Sequence, residues 1–146
     1  MTATTVASRP SEHARVSSRR LLWAGPLAIV GAVAANAVVR AVELAILPVP
    51  NDFLPLRAPA TFIGLTVAGM LGAVIVYAVV GRFSKNPVRT FRIVAGIALL
   101  LSFLPDLGLL VGGMPGATLT GVLALMMMHV VAAAIAVGVL TGLAVE

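Results

Sequence analysis

Four long apolar blocks limit the folds open to this chain more than any other feature. They run from Leu21 to Ile46, Ala60 to Val80, Ile93 to Val111 and Ala117 to Leu143. Each block is about as long as the roughly 20-residue helix that crosses a 30 Å hydrocarbon layer. Apolar residues make up 60% of the 146 residues, against roughly 45 to 50% in soluble domains. The sequence therefore predicts an all-α integral membrane protein, an antiparallel bundle of four transmembrane helices.

Basic residues cluster on one side of the predicted membrane. Eight of them precede the first block or lie between the second and third, in "GRFSKNPVRTFR": Arg9, Arg15, Arg19, Arg20, Arg82, Lys85, Arg89 and Arg92. The other connections carry only Asp52 and Arg57, or no charge. By the positive-inside rule we expect a multi-pass protein of the cell membrane with both termini in the cytoplasm. Anionic lipid headgroups are the expected partners at that face, and nucleic acid is not expected, because the basic residues flank membrane spans.

Residues 1–20, "MTATTVASRPSEHARVSSRR", contain little that a core could bury, so we expect a disordered cytoplasmic tail before a transmembrane domain over residues 21–146. "SRRLLW" followed by "AVAANA" is similar to a twin-arginine signal with a cleavage site. The apolar run continues past that site, which favours an uncleaved first helix.

The chain has no cysteine, which excludes disulfides, thiol redox chemistry and thiolate metal sites. It also has no glycine-rich phosphate loop, nucleophile elbow or His-Glu-x-x-His run. We therefore expect no cofactor and no metal.

A proline-rich stretch, "LPVPNDFLPLRAPA", joins the first two blocks over residues 47–60. Four prolines prevent a continuous helix there. The apolar side chains of Phe53, Leu54 and Leu56 suggest a lid folded back on the bundle, and a stiff connector fits the pattern equally well.

Small-residue pairs in the helices predict close packing within the chain, and could also serve a homo-oligomer: Gly31 with Ala35, Gly69 with Gly72, Gly108 with Gly112, and Gly138 with Gly142.

Polar side chains interrupt the first block in "NAVVRAVELAI". At about 100° per residue, Asn36, Arg40 and Glu43 share one helix face. In the third block, Ser102 and Asp106 also share a face, and Pro105 predicts a kink. Ionisable groups inside a membrane persist only where something compensates them. We therefore expect Arg40 to pair with Asp106 across the bundle, leaving Glu43 free to exchange a proton; the alternative is a local Arg40–Glu43 pair at the membrane interface.

His129 lies near the middle of the fourth block, after Met126, Met127 and Met128. The methionines point around most of the helix and only Met126 shares a face with His129, so a metal site is not favoured. We expect His129 to bond to Asp106 or to a backbone carbonyl. The candidate polar interior site therefore comprises Asn36, Arg40, Glu43, Ser102, Asp106 and His129.

A set of motifs resembles an uncharacterised actinobacterial family of small four-helix membrane proteins. These motifs are "FLPL", "NPVRTFR", "LLLSFLPDL" and "MMMHVVAA", and the resemblance covers most of residues 21–143. It implies the same topology and points to the Arg89 loop, Asp106 and His129 as shared features. It implies no activity.

Three functions fit the sequence. The bundle interior could bind a small apolar or amphipathic molecule or relay protons. The protein could instead be a structural or assembly partner whose polar groups fix helix pairing. The third option is an enzyme in which Asp106 or Glu43 serves as general acid on a lipid-soluble, isoprenoid-type substrate. A cavity of roughly 300 Å³ or more that touches the acids would favour a ligand or an enzyme role, and a filled interior would favour the structural one.

Overall fold

The computed structural model describes residues 16–144, and over that range the chain is helical without a β-strand. Its helices are α1 (Ser18–Ile46), α2 (Leu54–Arg57), α3 (Pro59–Phe83), α4 (Pro87–Val111) and α5 (Leu119–Leu143). In this part of the chain, the four helices other than α2 have 25 to 29 residues each and are apolar enough to cross a membrane. The predicted all-α fold with four membrane-spanning helices is confirmed.

The predicted blocks and the observed helices share their C-terminal ends at Ile46, Val111 and Leu143. The other five boundaries differ by one to six residues. The α1 helix begins at Ser18, so the last residues assigned to the tail are helical, and the predicted tail over residues 1–15 lies outside the described residues. The central connection was predicted as a loop of residues 81–92, but α3 continues to Phe83 and α4 begins at Pro87.

Helix-terminal residues explain the short central connection. Pro87 occupies the first turn of α4, where its missing N–H is not needed. The Asn86 side chain caps the helix by accepting a hydrogen bond from the Arg89 backbone N–H at 3.4 Å. Only residues 84–86 lie between the helices, and Ser84 Oγ lies 2.8 Å from Thr90 Oγ1 across them. Three of the four predicted loop cations, Arg82, Arg89 and Arg92, therefore sit on helix ends.

The four long helices form an antiparallel ring in which α1 and α4 each pack against both α3 and α5, and α3 and α5 also touch. We call the end with Ser18, Phe83, Pro87 and Leu143 the basic end. The opposite end, which includes α2, is the loop end. At the basic end the Ser17 N–H donates to the Ala144 carbonyl at 2.9 Å.

Alanine contacts build the core of the half near the basic end. Ala24, Ala28 and Ala32 of α1 are fully buried at four-residue spacing. They belong to one apolar cluster with Tyr77 of α3, Phe91 of α4, and other buried residues, chiefly Met70, Ala136 and Leu140. Because the alanine side chain has one carbon, helix backbones can approach closely. Inside a bilayer the helices gain no hydrophobic stabilisation from contact with each other, so the van der Waals contacts of this close packing hold them together.

The glycines predicted to mediate helix packing mostly do not. A Cβ added at Gly69, Gly72, Gly108, Gly138 or Gly142 would meet no atom within 4 Å, so these positions face open space. Small residues favour close packing only where a neighbouring helix is present, and the sequence pattern does not show which face the neighbour covers.

The proline segment, residues 47–58, folds back on the loop end. Val49, Phe53 and Leu56 are between 0% and 4% exposed, and they join an apolar cluster with residues of α3 and α5. Phe53 packs so closely on Gly121 that an added Cβ there would lie 3.0 Å from its ring. Of the two predicted forms, the structure has the folded-back segment, although Leu54 points outward at 59% exposure.

Candidate functional site

Arg40 projects from α1 into the proline segment. Its Nε donates to the Leu56 carbonyl and its Nη2 to the Arg57 carbonyl, both at 2.6 Å, and the guanidinium lies 5.1 Å from the centre of the Phe62 ring. Among the described residues, Arg40 has no carboxylate oxygen within 4 Å, so Arg40 forms neither the predicted direct pair with Asp106 nor the alternative pair with Glu43. The last carbonyls of a helix have no partner within it, so those of the one-turn α2 are free to accept from this guanidinium.

A second arginine completes the attachment of the proline segment. Arg57 Nη2 donates to the Val49 carbonyl and Arg57 Nε donates to the Pro50 carbonyl at 3.4 Å. Proline-rich backbone cannot satisfy its own carbonyls through a helical ladder. The two guanidinium groups, Arg40 and Arg57, therefore serve as hydrogen-bond donors to this segment.

Glu43 lies on α1 one turn beyond Arg40. It is 7% exposed, and its Oε2 accepts no hydrogen bond from the described part of the chain. It does not line the cavity described below.

Asp106 and His129 meet between α4 and α5. His129 Nδ1 lies 3.0 Å from Asp106 Oδ2 and 3.0 Å from the Leu125 carbonyl oxygen. A proton on Nδ1 is aligned with the Leu125 carbonyl, and Asp106 Oδ2 lies at ion-pair distance without accepting a hydrogen bond. The predicted hydrogen bond of His129 to Asp106 or to a backbone carbonyl is therefore confirmed for the Leu125 carbonyl.

Asn36 and Ser102 contribute polar groups at nearby positions. Asn36 Nδ2 donates to Thr66 Oγ1 of α3 at 3.2 Å, and the amide is 2% exposed. Ser102 Oγ donates to the Leu99 carbonyl of its own helix at 2.7 Å. Helix α4 runs through Pro105 to Val111 without ending there. The predicted bend at Pro105 remains a prediction.

A cavity of about 500 Å³ lies between α3, α4 and α5, and Asn36 of α1 and Pro55 of α2 border it. Four of the six candidate residues line it: Asn36, Ser102, Asp106 and His129. Arg40 and Glu43 do not. The six candidate residues therefore fall into two groups. Four line the cavity, and the other two, Arg40 and Glu43, lie on α1 outside it.

Small side chains leave this space open. Gly69 and Ala73 of α3 face the cavity, as do Ala95 and Ala98 of α4 and three alanines of α5. Helix α4 is also held by few contacts, because its only buried residues are Pro87, Phe91 and Asp106. The combination of small residues and a loosely packed helix prevents the bundle from closing at this seam.

The cavity reaches the outer surface of the bundle between α3 and α4. Leu65 lines it and is 63% exposed, and Gly69, Ala98 and Pro105 also line it and are exposed. In a membrane that surface faces the lipid, so an apolar molecule can reach the cavity from within the bilayer.

The α3 wall of the cavity was missed at the sequence level. Thr61 and Thr66 are the polar residues of the second apolar block near its start, and both line the cavity. Their presence beside Gly69 was an available signal. Met128 also lines the cavity, whereas Met126, which was predicted to share a face with His129, packs against the loop-end cluster. Within residues 16–144, no three His, Cys, Asp or Glu side chains are grouped to hold a metal ion.

Comparison with known proteins places most of the chain in a family. The model of a family described as "Family of unknown function (DUF6069)" matches residues 16–145, which is most of the chain. No curated protein and no solved structure matches.

Proposed function

Because the chain belongs to the DUF6069 family of unknown function, we propose a function from its cavity: the protein binds a small apolar or amphipathic molecule between α3, α4 and α5. The observation that carries this proposal is a space of about 500 Å³ that extends to the buried carboxylate of Asp106. Ligand pockets usually measure about 300 to 1,000 Å³ and combine apolar walls with a few polar groups. The cavity has both properties.

The surroundings of the cavity support a ligand that arrives through the lipid. The proline segment and its arginines cover the loop end of the bundle, while the seam between α3 and α4 is exposed along the cavity. A molecule dissolved in the bilayer meets this seam directly and can enter the cavity without passing through water.

The competing functions make different demands on the same site. A scaffold that uses its polar groups only for helix pairing gains nothing from an open interior, because unfilled space forgoes van der Waals contact. A proton relay would require a chain of exchangeable groups, and Glu43 is not part of the cavity that holds Asp106 and His129. Acid catalysis would begin with the same bound molecule, so ligand binding is the common first test.

We further propose that the protein spans the cell membrane with the basic end in the cytoplasm, where its cations contact anionic lipid headgroups. Six basic residues support this orientation, because they lie on or beside the basic end: Arg19, Arg20, Arg82, Lys85, Arg89 and Arg92. An actinobacterial origin is likewise a proposal, supported by the motif resemblance alone.

The experiment compares molecules that co-purify with three forms of the protein in mild detergent. Gly69→Leu narrows the cavity, since Gly69 lines it and an added Cβ meets no atom within 4 Å. Gly72→Leu is the matched control, because Gly72 lies on the same helix with equal open space and does not line the cavity.

We expect one small molecule to be enriched with the wild-type protein and with Gly72→Leu, and to be lost from Gly69→Leu. Both substitutions replace glycine by a strong helix former, so neither is expected to unfold α3. If the same molecules co-purify with all three forms, the cavity binds nothing and the proposed function is wrong.

A further inference from the structure

The polar end of the cavity has hydrogen-bond acceptors without donors. Asp106 is 7% exposed, and its Oδ2 accepts no hydrogen bond within the described range, although His129 Nδ1, which is placed to bond with the Leu125 carbonyl, lies 3.0 Å away. Asn36 is 2% exposed, and its amide has one bond, to Thr66, with Oδ1 unpaired. Buried polar atoms nearly always have a hydrogen-bond partner. Two buried oxygens without one, on residues that line a cavity, therefore indicate that a hydrogen-bond donor is missing.

The charges around the cavity restrict which polar group fits. No lysine or arginine is among its lining residues, and Arg40, whose guanidinium lies over the Phe62 ring, already donates to two carbonyls. A carboxylate or phosphate placed here would meet the Asp106 carboxyl group, and the one basic side chain among the lining residues, His129, already lies 3.0 Å from Asp106 Oδ2. A hydroxyl or an amine can instead donate to the Asp106 carboxyl group, which lines the cavity.

Resting on the proposed function, we propose that the cavity takes an apolar molecule whose polar group is a hydrogen-bond donor, a hydroxyl or an amine, held by the Asp106 carboxyl group. The apolar part of the molecule lies between the small residues of α3, α4 and α5. The molecule enters and leaves through the exposed seam beside Leu65 and Ala98. Anionic lipids, which the basic end attracts, are excluded from this site.

The test uses three photoactivatable probes that share one diazirine-bearing alkyl chain and end in a hydroxyl, an amine or a carboxylate. The wild-type protein is labelled with each probe in phosphatidylcholine nanodiscs, and labelled residues are mapped by mass spectrometry. We expect the hydroxyl or the amine probe to label cavity residues about tenfold more than the carboxylate probe, the ratio expected for one hydrogen bond to a charged group. The stronger of the two identifies the donor.

Variants separate this inference from the proposed function. Asp106→Asn replaces a carboxylate oxygen by a donor NH₂, so labelling by the carboxylate probe should rise and the preference should fall toward equality. Asp52→Asn makes the same change on the exposed proline segment and should leave the preference intact. The wild-type comparison needs no variant, so it decides the question even if Asp106→Asn misfolds.

Each outcome has a definite meaning. If the carboxylate probe labels the cavity as strongly as the others in the wild-type protein, this inference is overturned and the proposed function stands. If no probe labels the cavity more in the wild-type protein than in Gly69→Leu, both are overturned.

Discussion

Arg40 joins α1 to the proline segment through two hydrogen bonds to backbone carbonyls and a contact with the Phe62 ring. Lysine keeps the charge but has no planar fork that can donate to two carbonyls at once. We therefore expect Arg40→Lys to lower the free energy of unfolding by about 1.5 to 3 kcal/mol, the range for a hydrogen bond to a charged group. Thermal or denaturant unfolding in mild detergent measures this.

The matched control is Arg92→Lys, which changes an exposed arginine on α4 near the basic end and should have almost no effect. Equal stability of the two variants would mean that the Arg40 bonds contribute nothing to the attachment of the proline segment.

The residues that could be placed from sequence were those with local constraints. His129 was placed correctly because a carbonyl of its own helix, that of Leu125, is always within reach. Arg40 was misplaced because its partners are carbonyls of α2, and backbone atoms at the end of an irregular segment leave no mark in the residue pattern. Asp106 lies at a similar depth along its helix, which made it a candidate partner. Depth alone could not show that the backbone carbonyls of Leu56 and Arg57 lie nearer to Arg40.

At the scale of helices, α4 is the weakly held element of the bundle. Phe91, one of its three buried residues, is 1% exposed, and its ring centre lies 4.7 Å from that of Tyr77 in a tilted arrangement. Aromatic pairs at this distance add to simple burial. We expect Phe91→Ala to cost about 3 kcal/mol, since it removes the aromatic anchor of α4 at the basic end.

Phe83→Ala serves as the control, because Phe83 lies at the C-terminal end of α3 near the same bundle end and is 78% exposed. Unfolding in detergent should separate the two variants clearly. Similar losses for both would show that α4 is held by contacts other than Phe91.

The helices themselves were predictable, because block length and apolar content depend only on the chain and on membrane thickness. The way the helices pack against each other was harder to predict. The glycines at Gly138 and Gly142 matched a packing pattern but face open space, while Ala24, Ala28 and Ala32 form the observed contact. Alanine spacing of this kind is common in every apolar helix, so the pattern alone could not select it.

At the scale of the whole molecule, the proposed orientation in the membrane rests on the distribution of charge. The wild-type chain has no cysteine, so single cysteines can be placed without background. We expect Lys85→Cys, at the basic end, to resist a membrane-impermeant thiol reagent in intact cells, and Asn51→Cys, in the proline segment, to react. Both positions are exposed, so burial does not confound the comparison. Labelling at position 85 but not at position 51 would reverse the proposed topology.

The central claim is that one small molecule occupies the cavity between α3, α4 and α5. Native mass spectrometry of the protein released from nanodiscs measures this directly, because it counts bound molecules per chain. We expect a single additional mass on the wild-type chain and on Gly72→Leu, and the bare chain mass for Gly69→Leu, whose side chain narrows the cavity. A wild-type spectrum that shows only the bare chain, or an additional mass that persists in Gly69→Leu, would contradict the account.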